Sequence, residues 1–553
     1  MVKKFIFGCF AALFCLGLSA ETPFLKGKIL KLDSDSFINE RGGSSFSIGL
    51  GGISTSSSVS LLSVERALAE AAEDKDIAMV FLNTDHFSAS LSGLEEIRTL
   101  LTRFSASGKP VVAYASSFGN ASYYLASAAD RVFLHPQGGG SLNGLGSTQF
   151  FLKDLLDTLG VEVQLIRHGK FKSAGEMFIR NDISPENREQ YETLLASTWT
   201  GMLEEISASR GISAAELQSW IETLAIGKAS TWLEKGLVDG LKYRDEMEQY
   251  LCHLFGTTWP EDVQTVSLPS YIKKLSKGPS SKKIAVIYAD GEIVRSDGEI
   301  VGEALAHEIA AVRADSTVKA VVFRVNSPGG EVVAADMIRR EIELLQKDKP
   351  VIASYGSYAA SGGYLISAGC SRIFTDNATL TGSIGVFGMV PSLGKAIRRN
   401  LKVNPVTLGS GIHSGMGSGM NPLTEDELAW YQDEIEGIYD SFVKVVSEGR
   451  EMSWDAVDSI AQGRVWTGRD ALGIGLCDER GTLLDAIAYA AEKAGLSKYR
   501  IESYPAKKSF MEMLKGGDKK KDEPLVRLQS FLSPGFKTLA LMPYISMDNI
   551  YKR

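Results

Sequence analysis

A self-similarity at an offset of about 240 residues constrains this chain of 553 residues more than any other feature. Lys109-Pro110-Val111 returns as Lys349-Pro350-Val351. Tyr124-Leu125, Ser127 and Ala128 return as Tyr364-Leu365, Ser367 and Ala368. Gly140-Ser141 returns as Gly382-Ser383, and Gly236-Leu237-Val238-Asp239 as Gly475-Leu476-Cys477-Asp478. A register kept over roughly 100 positions means two copies of one folding unit. The expected organisation is a first domain at 26–260, a linker at 261–283 and a second domain at 284–505. A charged hinge and an apolar tail follow at 506–553.

Within each copy, short apolar runs alternate with helical patterns. Ile284–Tyr288, Val318–Val325, Pro350–Ser354 and Arg372–Thr375 read as strands, and Val332–Gln346 and Gly362–Ala368 as helices. Strands alternating with helices predict an α/β fold with mainly parallel sheets, built twice. The terminal segments carry other signals. Lys3 and Lys4 precede an apolar run from Phe5 to Ala20, the pattern of an export signal or a short membrane anchor. The bulk of the chain is then expected outside the cytoplasm.

Composition narrows the chemistry. A net charge of −8 argues against a broad nucleic-acid surface. The five cysteines form no CxxC pair and no even framework, and the six histidines no HExxH, so neither disulfides nor a zinc site is expected. Two glycine-rich motifs stand out instead. Asn326-Ser327-Pro328-Gly329-Gly330 follows a strand and opens a helix. Its backbone N–H groups could hold a negative oxygen, or simply form a tight turn. Ser361, in Ala360-Ser361-Gly362-Gly363, stands at the start of the next helix. That is where a nucleophile needs to be, with the following N–H free, and also where a serine commonly caps a helix. The base for such a hydroxyl is open on these residues alone. His413 lies in a glycine-rich loop without an evident orienting carboxylate. His168 and Lys172 lie in Arg167-His-Gly-Lys-Phe-Lys-Ser-Ala174 of the first copy. A lysine can serve if burial lowers its pKa.

Taken together, Ser327-Pro-Gly-Gly330, Ala360-Ser-Gly-Gly-Tyr364 and Thr381-Gly-Ser-Ile-Gly385 resemble the signal peptide peptidase SppA family. The duplication, with Gly169-Lys-Phe-Lys-Ser-Ala174 in the first copy, resembles that family's long form, protease IV. The resemblance spans about 26–505. It implies two tandem ClpP/crotonase-like domains and a serine endopeptidase with a Ser/Lys dyad. Ser361 would be the nucleophile, Lys172 the general base and Ser383 the hydroxyl bonded to the lysine. Gly330 and Gly362 would be the oxyanion donors. It also implies no cofactor, signal peptides as substrates, a homotetramer, and attachment to the bacterial inner membrane with the catalytic domains in the periplasm.

The repeat supports a shared site. Ala121 stands where the second copy has Ser361, and residues 412–414 stand where the first has Lys172. Each copy therefore lacks the half the other keeps. Two competing readings are a crotonase-like acyl-CoA enzyme, disfavoured by the export signal, and a non-catalytic membrane scaffold. The retention of Ser361, Lys172 and Ser383 together argues against a scaffold.

Overall fold

The computed structural model describes residues 24–33, 37–49, 52–275, 278, 280–506 and 537–542. The N-terminal apolar run, the charged hinge and most of the tail lie outside them. Among the described residues no helix is long and apolar enough to cross a membrane.

The two copies form two α/β units with corresponding sheets. In the first, the strand order is Thr265–Ser267, Lys28–Leu32, Ile77–Asn83, Val111–Phe118, Arg131–Gly140 and Gly240–Leu241, all parallel. In the second, Arg500–Tyr504, Lys283–Asp290, Val318–Ser327 and Val351–Ala360 run in the same order. Arg372–Thr375 and Glu479–Arg480 continue it in parallel. Ile284 to Ala289 is buried throughout, as a parallel strand covered on both faces by helices must be. The helix Val332–Asp348 buries Ala334, Ala335, Ile338, Ile342 and Leu345, a single stripe at helical spacing.

Three local expectations are corrected. Thr265–Ser267 and the short helix Leu268–Ile272 fall in the expected linker, yet they complete the first sheet and its core. The Pro-Gly-Gly stretch is not a tight turn. Gly329–Glu331 is a short strand with φ of +104° at Gly329 and +153° at Gly330, backbone that side chains rarely adopt. The helix after Ser361 is also shorter than expected, Gly362–Leu365.

The units are bolted together by a buried ion cluster. The Arg324 guanidinium donates to Glu40 at 2.8 and 3.0 Å and to Glu96 at 2.6 Å. Glu96 in turn accepts from the Leu483 N–H at 2.7 Å. A further six-stranded sheet mixes the copies: Ile300–Val301, Ile293–Val294, Gly329–Glu331, Lys537–Leu541, Phe387–Ser392 and Glu162–Arg167. The last strand comes from the first copy and pairs antiparallel with Phe387–Ser392 of the second. This crossing carries the loop after Arg167 to the C-terminal ends of the second unit's strands.

Candidate active site

Ser361 ends the strand Val351–Ala360 and precedes the helix Gly362–Leu365. It sits at φ 53°, ψ −117° and makes no side-chain cap. A non-glycine residue at positive φ is strained, and such strain collects at functional sites. The hydroxyl is left for a different partner, Lys172, whose Nζ donates to Ser361 Oγ at 2.8 Å.

Lys172 reaches the site from the first copy because the chain after Glu162–Arg167 folds back over it. The Arg167 guanidinium donates to the Lys172 carbonyl at 2.8 Å, and the Phe171 N–H donates to the Gln462 carbonyl at 3.0 Å. The aliphatic stem runs past Gly463 and Gly385. A Cβ on Gly463 would lie 2.6 Å from the Lys172 Cβ, and one on Gly385 3.3 Å from its Cδ. Nζ also donates to the Ser383 carbonyl and hydroxyl, both at 3.0 Å. Ser383 too has positive φ, 49°, which turns its carbonyl and hydroxyl toward the same nitrogen.

Lys172, Ser361 and Ser383 are all 0% exposed. Among the described residues no carboxylate forms an ion pair with Lys172. Burial therefore pushes its ammonium well below the ordinary lysine range. A neutral amine held against a hydroxyl is equipped to take that hydroxyl's proton.

Beside them, Gly329–Glu331 runs past the helix start. A Cβ on Gly362 would lie 3.2 Å from the Gly330 nitrogen, so the backbones of the two expected oxyanion donors are adjacent. The structure thus gathers Ser361, Lys172, Ser383, Gly330 and Gly362 at one place, with the lysine from one copy and the rest from the other.

The pattern of peptidase family S49 matches twice, at 103–255 and 343–497. Protease 4 of Salmonella typhi is 33% identical over 516 residues, 89% of this chain and 80% of that protein. The chain belongs to peptidase family S49. Protease 4 of Haemophilus influenzae is 34% identical over 78% of this chain and 73% of its own. The chloroplastic serine protease SPPA of Arabidopsis thaliana is 34% identical over 85% of this chain and 70% of its own. This S49 member is a serine peptidase of the SppA type, and its two tandem α/β units with mainly parallel sheets are the fold the resemblance implied.

The histidines weighed as bases serve elsewhere in this peptidase. His413 Nδ1 lies 3.1 Å from Glu427 Oε1, so it does have a carboxylate partner, at the start of the helix Glu425–Arg450. His168 stacks on Tyr439 at 3.6 Å and lies 2.5 Å from Glu436. Sequence reasoning passed over Gly385 and Gly463, which make room for the lysine stem. The signal for Gly385 was in the Thr-Gly-Ser-Ile-Gly motif already singled out. Gly463 had none, because its role depends on a residue of the other copy.

Proposed function

We propose that this serine peptidase is an endopeptidase working through a Ser361/Lys172 dyad on apolar peptides, cleaved signal peptides among them. The observation that carries the reading is the 2.8 Å contact between Lys172 Nζ and Ser361 Oγ, fully buried and, among the described residues, without a carboxylate paired to the lysine. Neutral Lys172 takes the proton as Ser361 Oγ attacks the peptide carbonyl. The oxygen that becomes negative accepts N–H bonds from Gly330 and Gly362. Lys172 then protonates the leaving amine, and water, deprotonated by the same lysine, releases the acyl group from Ser361. Ser383 holds Nζ on the line to Ser361.

The lysine-flanked apolar N-terminus supports membrane attachment with the catalytic units in the periplasm. The family resemblance supports a homotetramer. The test of the chemistry is hydrolysis of an apolar peptide by wild-type and Ser361→Ala protein. Loss of activity with an unchanged melting curve is expected. Equal rates in the two proteins would exclude Ser361 as nucleophile.

A further inference from the structure

A short segment of the second copy touches both supports of the lysine. On the arm that delivers Lys172, the Phe171 N–H donates to the Gln462 carbonyl at 3.0 Å. On the turn that receives Nζ, the Gly463 N–H donates to the Ile384 carbonyl at 2.8 Å, and the Ser383 N–H donates to the Arg464 carbonyl at 2.7 Å. Those backbone bonds depend little on side-chain type. The Arg464 side chain adds a contact that does. Its guanidinium carbon stands 4.6 Å from the centre of the Phe171 ring and 4.7 Å from that of Trp466, both within cation–π range. One guanidinium nitrogen also lies 2.9 Å from Glu189 Oε1, on the first copy's helix Pro185–Arg210.

The two side-chain contacts with the first copy are unequal. The Glu189 side chain is 56% exposed, so water competes for the ion pair and it contributes little. Phe171 is buried and precedes Lys172 directly, so a shift of its ring moves the root of the lysine stem. Nζ itself donates to Ser361 and Ser383, and Arg464 reaches it only through Phe171. The repeat agrees. Arg464 stands four residues before the helix Gly468–Gly473, which leads into Gly475-Leu-Cys-Asp478. In the first copy the helix leading into Gly236-Leu-Val-Asp239 is Ala229–Glu234, and four residues before it stands Ala225. The copy that receives the lysine arm carries the cation; the copy that sends the arm carries an alanine.

We propose that Arg464 is a positioning residue for the general base: its guanidinium, stacked on Phe171, holds the first copy's arm so that Lys172 Nζ stays within reach of Ser361. This rests on the dyad reading above. Without the cation the arm loosens, Lys172 meets more water, and burial lowers its pKa less. The neutral amine that accepts the serine proton then forms only at higher pH.

The test compares wild type, Arg464→Met, Arg464→Lys and Glu189→Gln in hydrolysis of an apolar peptide across neutral and alkaline pH. Arg464→Met should lower kcat about tenfold and change KM less than about twofold. Tenfold is about 1.4 kcal/mol, the size of one buried cation–π contact. The rising limb of kcat against pH should move to higher pH. Arg464→Lys keeps a cation without the flat guanidinium and should recover part of both effects. Glu189→Gln removes only the ion pair and should match wild type. Wild-type kcat and limb in Arg464→Met would overturn the proposal, whatever its melting curve. So would an Arg464→Lys enzyme no faster than Arg464→Met, or an equal loss in Glu189→Gln. If Arg464→Met does not fold, Phe171→Leu reads the same contact from the arm: a lower kcat with a raised limb supports the proposal, and wild-type behaviour overturns it. Failure of the dyad reading shows separately, as a Lys172→Met protein with wild-type kcat.

Discussion

Lys172→Met tests the unusual base most directly. Methionine nearly matches the lysine stem in volume and cannot take a proton from Ser361. The Nζ–Oγ distance of 2.8 Å places the amine in range for general-base catalysis, which typically contributes 10²–10⁴-fold. At 1.36 kcal/mol per tenfold, kcat/KM should fall by about 2.7–5.4 kcal/mol of barrier. Because the two groups act as a unit, Ser361→Ala/Lys172→Met should be little worse than either single variant. Stability carries a second signature. The folded-state pKa of Lys172 is lowered by burial, so at pH values between it and the unfolded value near 10.4 the unfolded chain binds more protons. Wild-type stability should therefore rise with pH through that window, a rise the methionine variant lacks. Lost hydrogen bonds to Ser383 shift the absolute Tm, so the readout is the pH dependence of the Tm difference between the two proteins. Retention of more than about a tenth of wild-type kcat/KM would refute the base assignment. A Tm difference that does not change with pH would refute the buried, neutral lysine.

Two further outcomes follow from the geometry. Ser383→Ala removes one of the two Ser383 oxygens that Nζ reaches and leaves the carbonyl at 3.0 Å. Activity should fall less than in the dyad variants, and the rising limb of kcat/KM against pH should move; unchanged kinetics and an unchanged limb would make Ser383 merely a turn residue. Arg324→Met leaves Glu40 and Glu96 buried without their cation and should cost about 3–5 kcal/mol, measured by calorimetry. Adding Glu96→Gln should recover part of that loss, and a wild-type Tm in Arg324→Met would show that the cluster does not hold the units together.

Residue patterns alone determined a good deal here. The duplicated spacing required two like units, and the sheets repeat strand for strand because the same apolar spacing selects the same layers. Arg372–Thr375 is a strand as read, and Val332–Asp348 differs from its sequence reading by only two residues. Ser361 stood out because a hydroxyl among small residues at a helix start is a local pattern. Lys172 was different: most lysines are solvated, and nothing within its own copy distinguishes this one. It was reached through the motif resemblance, and its burial and its hydrogen-bond partners came only from the packing of one copy against the other.

The tail shows the limit most clearly. Thr538-Leu-Ala-Leu-Met542 is an ordinary short apolar run, and its meaning lies in the edges it meets. Those edges are Gly329–Glu331, extended because glycine alone tolerates its backbone, and Phe387–Ser392, whose other side is closed by a strand from the first copy. Side-chain type is written along the chain, so nucleophile, repeat and layer order can be read there. Pairing across hundreds of residues depends on which hydrogen-bonding edges remain open once both units have folded, and only the tertiary structure decides that.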